Sequence, residues 1–197
     1  MVAMPLIRRG GLLHLLSGLS LILLSVYDLA APDPAGAARP LIHSLGYLGL
    51  ALGLLGLTAV YLVQQELAGR LGLAGYLLAF VGNVLTAGAA FLNGYVAPVA
   101  PELFAPTGPL FAGPAGLVIL LSAVLVTAGF VMFGIATLRA GVLPRWAAIL
   151  VVASAWFGLA AAFAPVAFHL GGILFGLGNA GLGYAVWAGA GEKEMER

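Results

Sequence analysis

Three side chains that can exchange a proton lie near the ends of long apolar segments. They are Asp28, His43 and His169. Two imidazoles and a carboxylate can bind a divalent metal ion, relay a proton or hold an anionic ligand when the imidazoles are protonated. If their segments cross a membrane, the three groups lie at similar depth near one face. The sequence therefore predicts a ligand or proton site there; the alternative is that each residue caps a helix end or reaches interfacial water.

Amide side chains form a second candidate group. Asn83 and Asn179 fall near the middle of apolar segments, and Asn93 shares the small-residue face of Asn83. Buried amides can bind a polar solute at the bilayer midplane. They can also join two helices through a hydrogen bond worth about 0.6 kcal/mol. We expect these three asparagines to line the protein interior.

Cofactor chemistry is restricted by composition. The chain has no cysteine, which excludes thiolate ligands and cysteine catalysis. His43 and His169 could hold haem b as two axial ligands, and the same pair with Asp28 could hold a divalent metal. A membrane metallohydrolase is a distant third possibility. It ranks last because no His-x-x-x-His pair supplies two metal ligands from one helix. The primary expectation is a protein without a cofactor.

The elements that position these residues are long apolar segments. The chain of 197 residues is 62% hydrophobic and 8% charged, whereas soluble domains carry about 25% charged residues. Segments of about 20 apolar residues match the hydrocarbon thickness of a bilayer. The pattern predicts an all-α fold, an integral membrane bundle of six helices in a single domain of residues 1–197. The predicted spans are 10–29, 41–63, 73–95, 117–138, 146–164 and 166–187.

The basic residues indicate the orientation of these spans. With six spans, seven of the eight basic residues lie on one side of the membrane, and only Arg39 lies on the other. The group consists of Arg8, Arg9, Arg70, Arg139, Arg145, Lys193 and Arg197. Basic loops stay in the cytoplasm, so we expect both termini to be cytoplasmic. The net charge of +1, without a basic cluster, excludes nucleic acid as a partner.

The connections and helix faces complete the predicted architecture. Residues 96–116 contain five prolines and are predicted to form a Pro-rich outer loop. Gly46, Gly49, Gly53 and Gly56 fall on one strip of the second span, where small residues allow close helix packing. Residues 66–72 and 137–143 align around Gly-containing cytoplasmic turns, which suggests a duplicated hairpin.

The stretch FGIATLRAGVLPRW, residues 133–146, resembles a turn that recurs in small bacterial multi-span membrane proteins. The resemblance implies a multi-pass protein of the bacterial plasma (inner) membrane. The motif is structural, so no catalytic residue is carried over.

These observations favour a non-enzymatic protein that binds or passes a small solute or protons through an outward-facing polar pocket. The alternative is an accessory or haem-b-bearing subunit of a larger membrane complex. The expected partners are the lipid bilayer and, in addition, other membrane subunits or further copies of the chain.

Overall fold

The computed structural model describes residues 3–30, 38–104, 108–160 and 164–190, and within these ranges it contains helices and turns but no strand. The helices are α1 (Ala3–Ala30), α2 (Arg39–Leu62), α3 (Gln65–Phe91), the short α4 (Pro109–Ala112), α5 (Pro114–Ala140), α6 (Arg145–Ala160) and α7 (Pro165–Trp187). A π-helical turn, Leu92–Val96, extends α3, and a 3-10 turn, Pro101–Phe104, follows it. The predicted all-α fold is confirmed for the described residues.

Five of the helices, α1, α2, α3, α5 and α7, are long and apolar enough to cross a membrane. Their outward faces carry large apolar side chains such as Leu23, Leu55 and Leu120, which are about half exposed. Helix α6 is also apolar, but its apolar segment, Arg145–Phe157, is shorter than those of the other five helices. The end of the predicted fifth span, 161–163, lies outside the described residues.

Several helix boundaries differ from the prediction: α1 begins at Ala3 rather than at residue 10, and α4 lies inside the predicted outer loop. Helix α5 begins at Pro114, inside the predicted outer loop, because proline suits the first turn of a helix. Helix α3 begins at Gln65, eight residues before the predicted span. Its first turn is separated from the rest by Gly69, whose backbone is non-helical with φ 57°. Gly141, which ends α5, also has a left-handed backbone, with φ 70°.

The six long helices form a closed ring in the order α1, α2, α3, α5, α6, α7 and back to α1. Neighbours run antiparallel. For example, Gly10 at the start of α1 lies on Ala59 near the end of α2, whereas Gly46 near the start of α2 lies on Leu24. Five arginines therefore lie near helix ends at one end of the ring: Arg8, Arg9, Arg70, Arg139 and Arg145. We call this end the arginine end, and the opposite end, which holds Asp28, Arg39, His43 and His169, the histidine end.

Glycines allow α1 to pack against both of its neighbours with backbones almost in contact. A Cβ atom on Gly56 of α2 would lie 2.6 Å from the Cα atom of His14. A Cβ on Gly18 of α1 would lie 2.4 Å from the carbonyl oxygen of Gly176 in α7. Lipid provides no hydrophobic drive between helices, so such close van der Waals contact stabilises the ring. The glycine strip predicted from the sequence of α2 is the surface that meets α1.

An apolar core fills the ring toward the arginine end and includes Leu57, Val60, Phe133, Leu182 and Val186. One buried hydrogen bond crosses this region. Gln64, in the turn between α2 and α3, donates from Nε2 to Thr137 Oγ1 of α5 over 2.9 Å. Thr137 Oγ1 in turn donates to the Phe133 carbonyl at 2.9 Å.

We expect Thr137→Val to lower the free energy of unfolding by about 1–3 kcal/mol, because it leaves the Gln64 amide buried without a partner. Thermal or denaturant unfolding of the detergent-solubilised protein measures the change. Thr127→Val is the matched control, since Thr127 lies on the same helix and has no described side-chain hydrogen bond. Equal stability of the two variants would show that the Gln64 contact contributes nothing.

Candidate functional site

The histidine end holds a cluster of three charged or titratable side chains from α1 and α2. Asp28 Oδ1 lies 3.7 Å from Arg39 Nη1 and 3.3 Å from His43 Nε2. The three side chains are mostly buried, with relative exposures of 18%, 13% and 8% respectively. The guanidinium offsets the charge of the carboxylate, which makes its burial tolerable. Two of the predicted site residues, Asp28 and His43, are therefore in direct contact.

Arg39 is a member of this cluster that was not predicted as a site residue. It begins α2, and Pro40 beside it occupies the first turn, where its missing N–H costs no hydrogen bond. The sequence contained a signal, because Arg39 is the one basic residue assigned to the end that also holds Asp28. Residues 31–37, which join α1 to α2, lie outside the described residues.

The π-helical turn of α3 packs beside His43. Gly94 lies so close that a Cβ atom there would be 3.1 Å from the His43 Cβ. The next residue, Tyr95, contacts the hydroxyl of Ser44 through its own hydroxyl. Such single π turns inside helices are frequent at functional sites. Asn93, also predicted to line the interior, lies in this turn, and its side chain is outside the described part of the structure.

His169 lies near the start of α7 and is partly buried. Its ring stands edge-on to Phe168, with 5.6 Å between ring centroids. It makes no hydrogen bond or ion pair with any described residue. Among the same residues, no group of three His, Asp or Glu side chains could hold a metal ion. The metal and haem hypotheses stay untested predictions. In the structure His43 Nε2 faces Asp28.

A second polar cluster lies inside the ring and is centred on His14 of α1. The side chain is 2% exposed, and neither ring nitrogen has a hydrogen-bond partner among the described residues. The Gly53 carbonyl and the Asn179 side chain are its nearest polar neighbours. Ser17, Asn83 and Asn179 line the same cavity as His14, and we call these four residues the interior cluster.

The two predicted midplane asparagines are thus brought together in one place. Asn83 is 7% and Asn179 is 2% exposed. Asn179 donates from Nδ2 to the Phe175 carbonyl one turn earlier, at 2.7 Å. Their remaining polar atoms face a cavity of about 10 Å³, close to the smallest space that admits one water molecule.

His14 was not predicted as a site residue because its position in the first span places it far in depth from the other two histidines. Its polar stripe was nevertheless visible: His14, Ser17, Ser25 and Asp28 recur at helical spacing on one face of α1. In the structure Ser17 and Ser25 are buried. Helix α1 therefore presents one inward polar face from the interior cluster to the Asp28–His43 pair.

Hydrogen-bonding side chains continue from His14 toward the arginine end along α2. Thr58, two residues beyond the glycine that lies on His14, is hydrogen-bonded to Tyr76 of α3, with 3.0 Å between the hydroxyl oxygens. One further turn and a half along the chain, Gln64 reaches Thr137. Hydrogen-bonding side chains of the described residues thus extend from His14 to the turn between α2 and α3.

Comparison with protein-family models, curated proteins and solved structures gives no match for this chain. The fold defines it as an all-helical protein with five helices capable of crossing a membrane. Its chemistry must therefore be inferred from the side chains that the ring encloses.

Proposed function

We propose that the protein is a bacterial inner-membrane protein that passes protons through the interior of its helix ring. In this proposal α6 also crosses the membrane, which brings the number of spans to six, and both termini are cytoplasmic. The concentration of arginines at one end of the ring supports this orientation, since basic residues are retained on the cytoplasmic side. The resemblance of residues 133–146 to a turn of bacterial membrane proteins supports the location.

The observation that carries the proposal is the position of His14. An ionisable side chain is costly inside a membrane and is commonly part of a proton or ion pathway. The imidazole makes no well-formed hydrogen bond within the described residues, and the Gly53 backbone and the Asn179 side chain lie close enough to interact with it. Imidazole can also accept a proton on one nitrogen and release one from the other. His14 is therefore suited to transfer protons between two sides of the ring.

The size of the cavity favours protons over a solute. A pocket for a small molecule usually has a volume of about 300–1,000 Å³, whereas the interior cluster encloses room for about one water molecule. A proton needs only a water and a titratable group. The amides of Asn83 and Asn179 and the hydroxyl of Ser17 would orient that water beside His14.

The Asp28–His43 pair would exchange protons with the medium at the histidine end. Asp28 would accept a proton from hydronium at that end, which leaves water, and would pass it to His43 Nε2, 3.3 Å away. Arg39 Nη1, 3.7 Å from Asp28 Oδ1, would offset the charge of the carboxylate. The polar face of α1 joins this pair to His14.

Proton flux in vesicles tests the proposal. We expect purified protein in liposomes with a trapped pH-sensitive dye to carry protons down a potassium diffusion potential faster than protein-free vesicles do. Asp28→Asn should reduce the flux several-fold because it removes the titratable group at the entrance. Glu102→Gln is the matched control: it neutralises an exposed carboxylate at the same end and should leave the flux unchanged. Flux equal to that of protein-free vesicles would refute the proposed function.

A further inference from the structure

Apolar side chains complete the lining of the cavity that holds the interior cluster. Leu21 of α1, Leu50 of α2, Phe130 of α5 and Phe175 of α7 line the cavity of the interior cluster. They come from four helices of the ring. We call them the apolar constriction.

Helix geometry places Leu21 midway between the two polar clusters. It follows His14 by seven residues and precedes Asp28 by seven, on the same inward face of α1. With a rise of about 1.5 Å per residue, Leu21 lies roughly 10 Å from each along the helix axis. A proton that moves along this face must pass it.

Leu50 and Phe175 lie near the level of Leu21, and Phe130 reaches Phe175 from nearer the arginine end. A Cβ on Gly49, next to Leu50, would meet Ser20 of α1. Gly176, next to Phe175, lies against Gly18 and Ile22 of α1. The ring of Phe130 packs edge-on against Phe175, with 4.6 Å between centroids. Leu21, Leu50 and Phe175 thus lie at one depth on the histidine-end side of His14, and Phe130 packs against Phe175.

We infer that the apolar constriction is a hydrophobic gate, in series between the Asp28–His43 pair and His14. The inference rests on the proposed function and identifies what regulates it. Narrow apolar passages gate by excluding water, and a proton cannot cross a segment without water or a titratable group. An alkali cation would also have to lose its hydration shell there, so the gate restricts the passage to protons.

Leu21→Asn tests the gate because it keeps a side chain of similar size and adds hydrogen-bonding groups that hold water. We expect the proton flux to rise on the order of tenfold, the effect of one added hydrogen bond on the barrier. Leu23→Asn is the matched control. It makes the same change two residues away, where the side chain is 45% exposed on the outer surface of the ring, and it should leave the flux at the wild-type value.

The double variant His14→Gln with Leu21→Asn shows whether the gate and the imidazole act in series. Its flux should fall to that of protein-free vesicles. A high flux in the double variant would mean that water bypasses His14 and would overturn the series arrangement. Leu50→Asn repeats the test from α2 if Leu21→Asn does not yield folded protein.

The outcomes distinguish the gate from the function beneath it. Wild-type flux that depends on His14 but is unchanged by Leu21→Asn and Leu50→Asn would overturn the gate and leave the function standing. Absence of flux in the wild type would refute the proposed function, and the gate with it.

Discussion

Gly18→Leu is expected to prevent α1 and α7 from docking and to cause a severe loss of stability. A Cβ atom at this position would lie 2.4 Å from the Gly176 carbonyl oxygen and 2.5 Å from the Ala180 amide nitrogen. Both are backbone atoms, which cannot move aside as a side chain can. Overpacking of a flexible core costs about 1–3 kcal/mol, and we expect a greater loss at Gly18. Thermal unfolding in detergent, followed by tryptophan fluorescence, measures it.

Gly88→Leu is the matched control, because Gly88 lies in α3, is exposed and has open space where a side chain would begin. Its stability should stay within about 0.5 kcal/mol of the wild type, as for other surface substitutions. Should the two variants unfold at the same temperature, close approach of α1 and α7 would not be what holds the ring together.

His14→Gln is expected to reduce proton flux to the level of protein-free vesicles. Glutamine retains hydrogen-bonding groups at the interior cluster and can keep the water in place, but it cannot take up a proton. The folded state should be retained, since the imidazole nitrogens that are lost have no described hydrogen-bond partner. The measurement is the same dye-based flux assay, with unfolding temperatures recorded in parallel.

His169→Gln provides the comparison for His14→Gln. His169 is partly buried near the start of α7 and has no described hydrogen bond or ion pair. The flux should therefore be unchanged. If His14→Gln conducts as well as the wild type, then the path does not include the interior cluster. If His169→Gln abolishes the flux, the entrance differs from the one proposed.

The faces of the helices could be predicted from the sequence, whereas their partners could not. Spacing alone identified the glycine strip of α2 and the polar face of α1, since both follow from about 3.6 residues per turn. The contact of Asp28 with Arg39 and His43 depends on how far two helices slide along one another. Packing of small residues between different helices sets that axial offset, and the offset cannot be predicted from the residue spacing within either helix.

Counting along each span gives the depth of His14 and His169 but does not identify their neighbours on other helices. In a sequence, depth can be counted only along each span separately, which placed His169 with Asp28 and left His14 apart. The structure places Gly56 of α2 on His14 and Asn179 of α7 beside it, so that polar groups from several helices meet in the ring. Each of the two aligned Gly-containing segments holds a glycine with positive φ, Gly69 at a kink inside α3 and Gly141 at the end of α5. Whether they arose by duplication stays untested.

Closure of the ring by α1 and α7 has a consequence for biosynthesis. Helix α1 carries glycine faces toward two partners, and one of them, α7, is synthesised after the other helices of the ring. Until α7 is made, Gly11 and Gly18 have no helix to meet, and the enclosure of His14 is incomplete. Contacts between segments far apart in sequence form late because the intervening segment must be ordered first. The ring would therefore close only after α7 inserts.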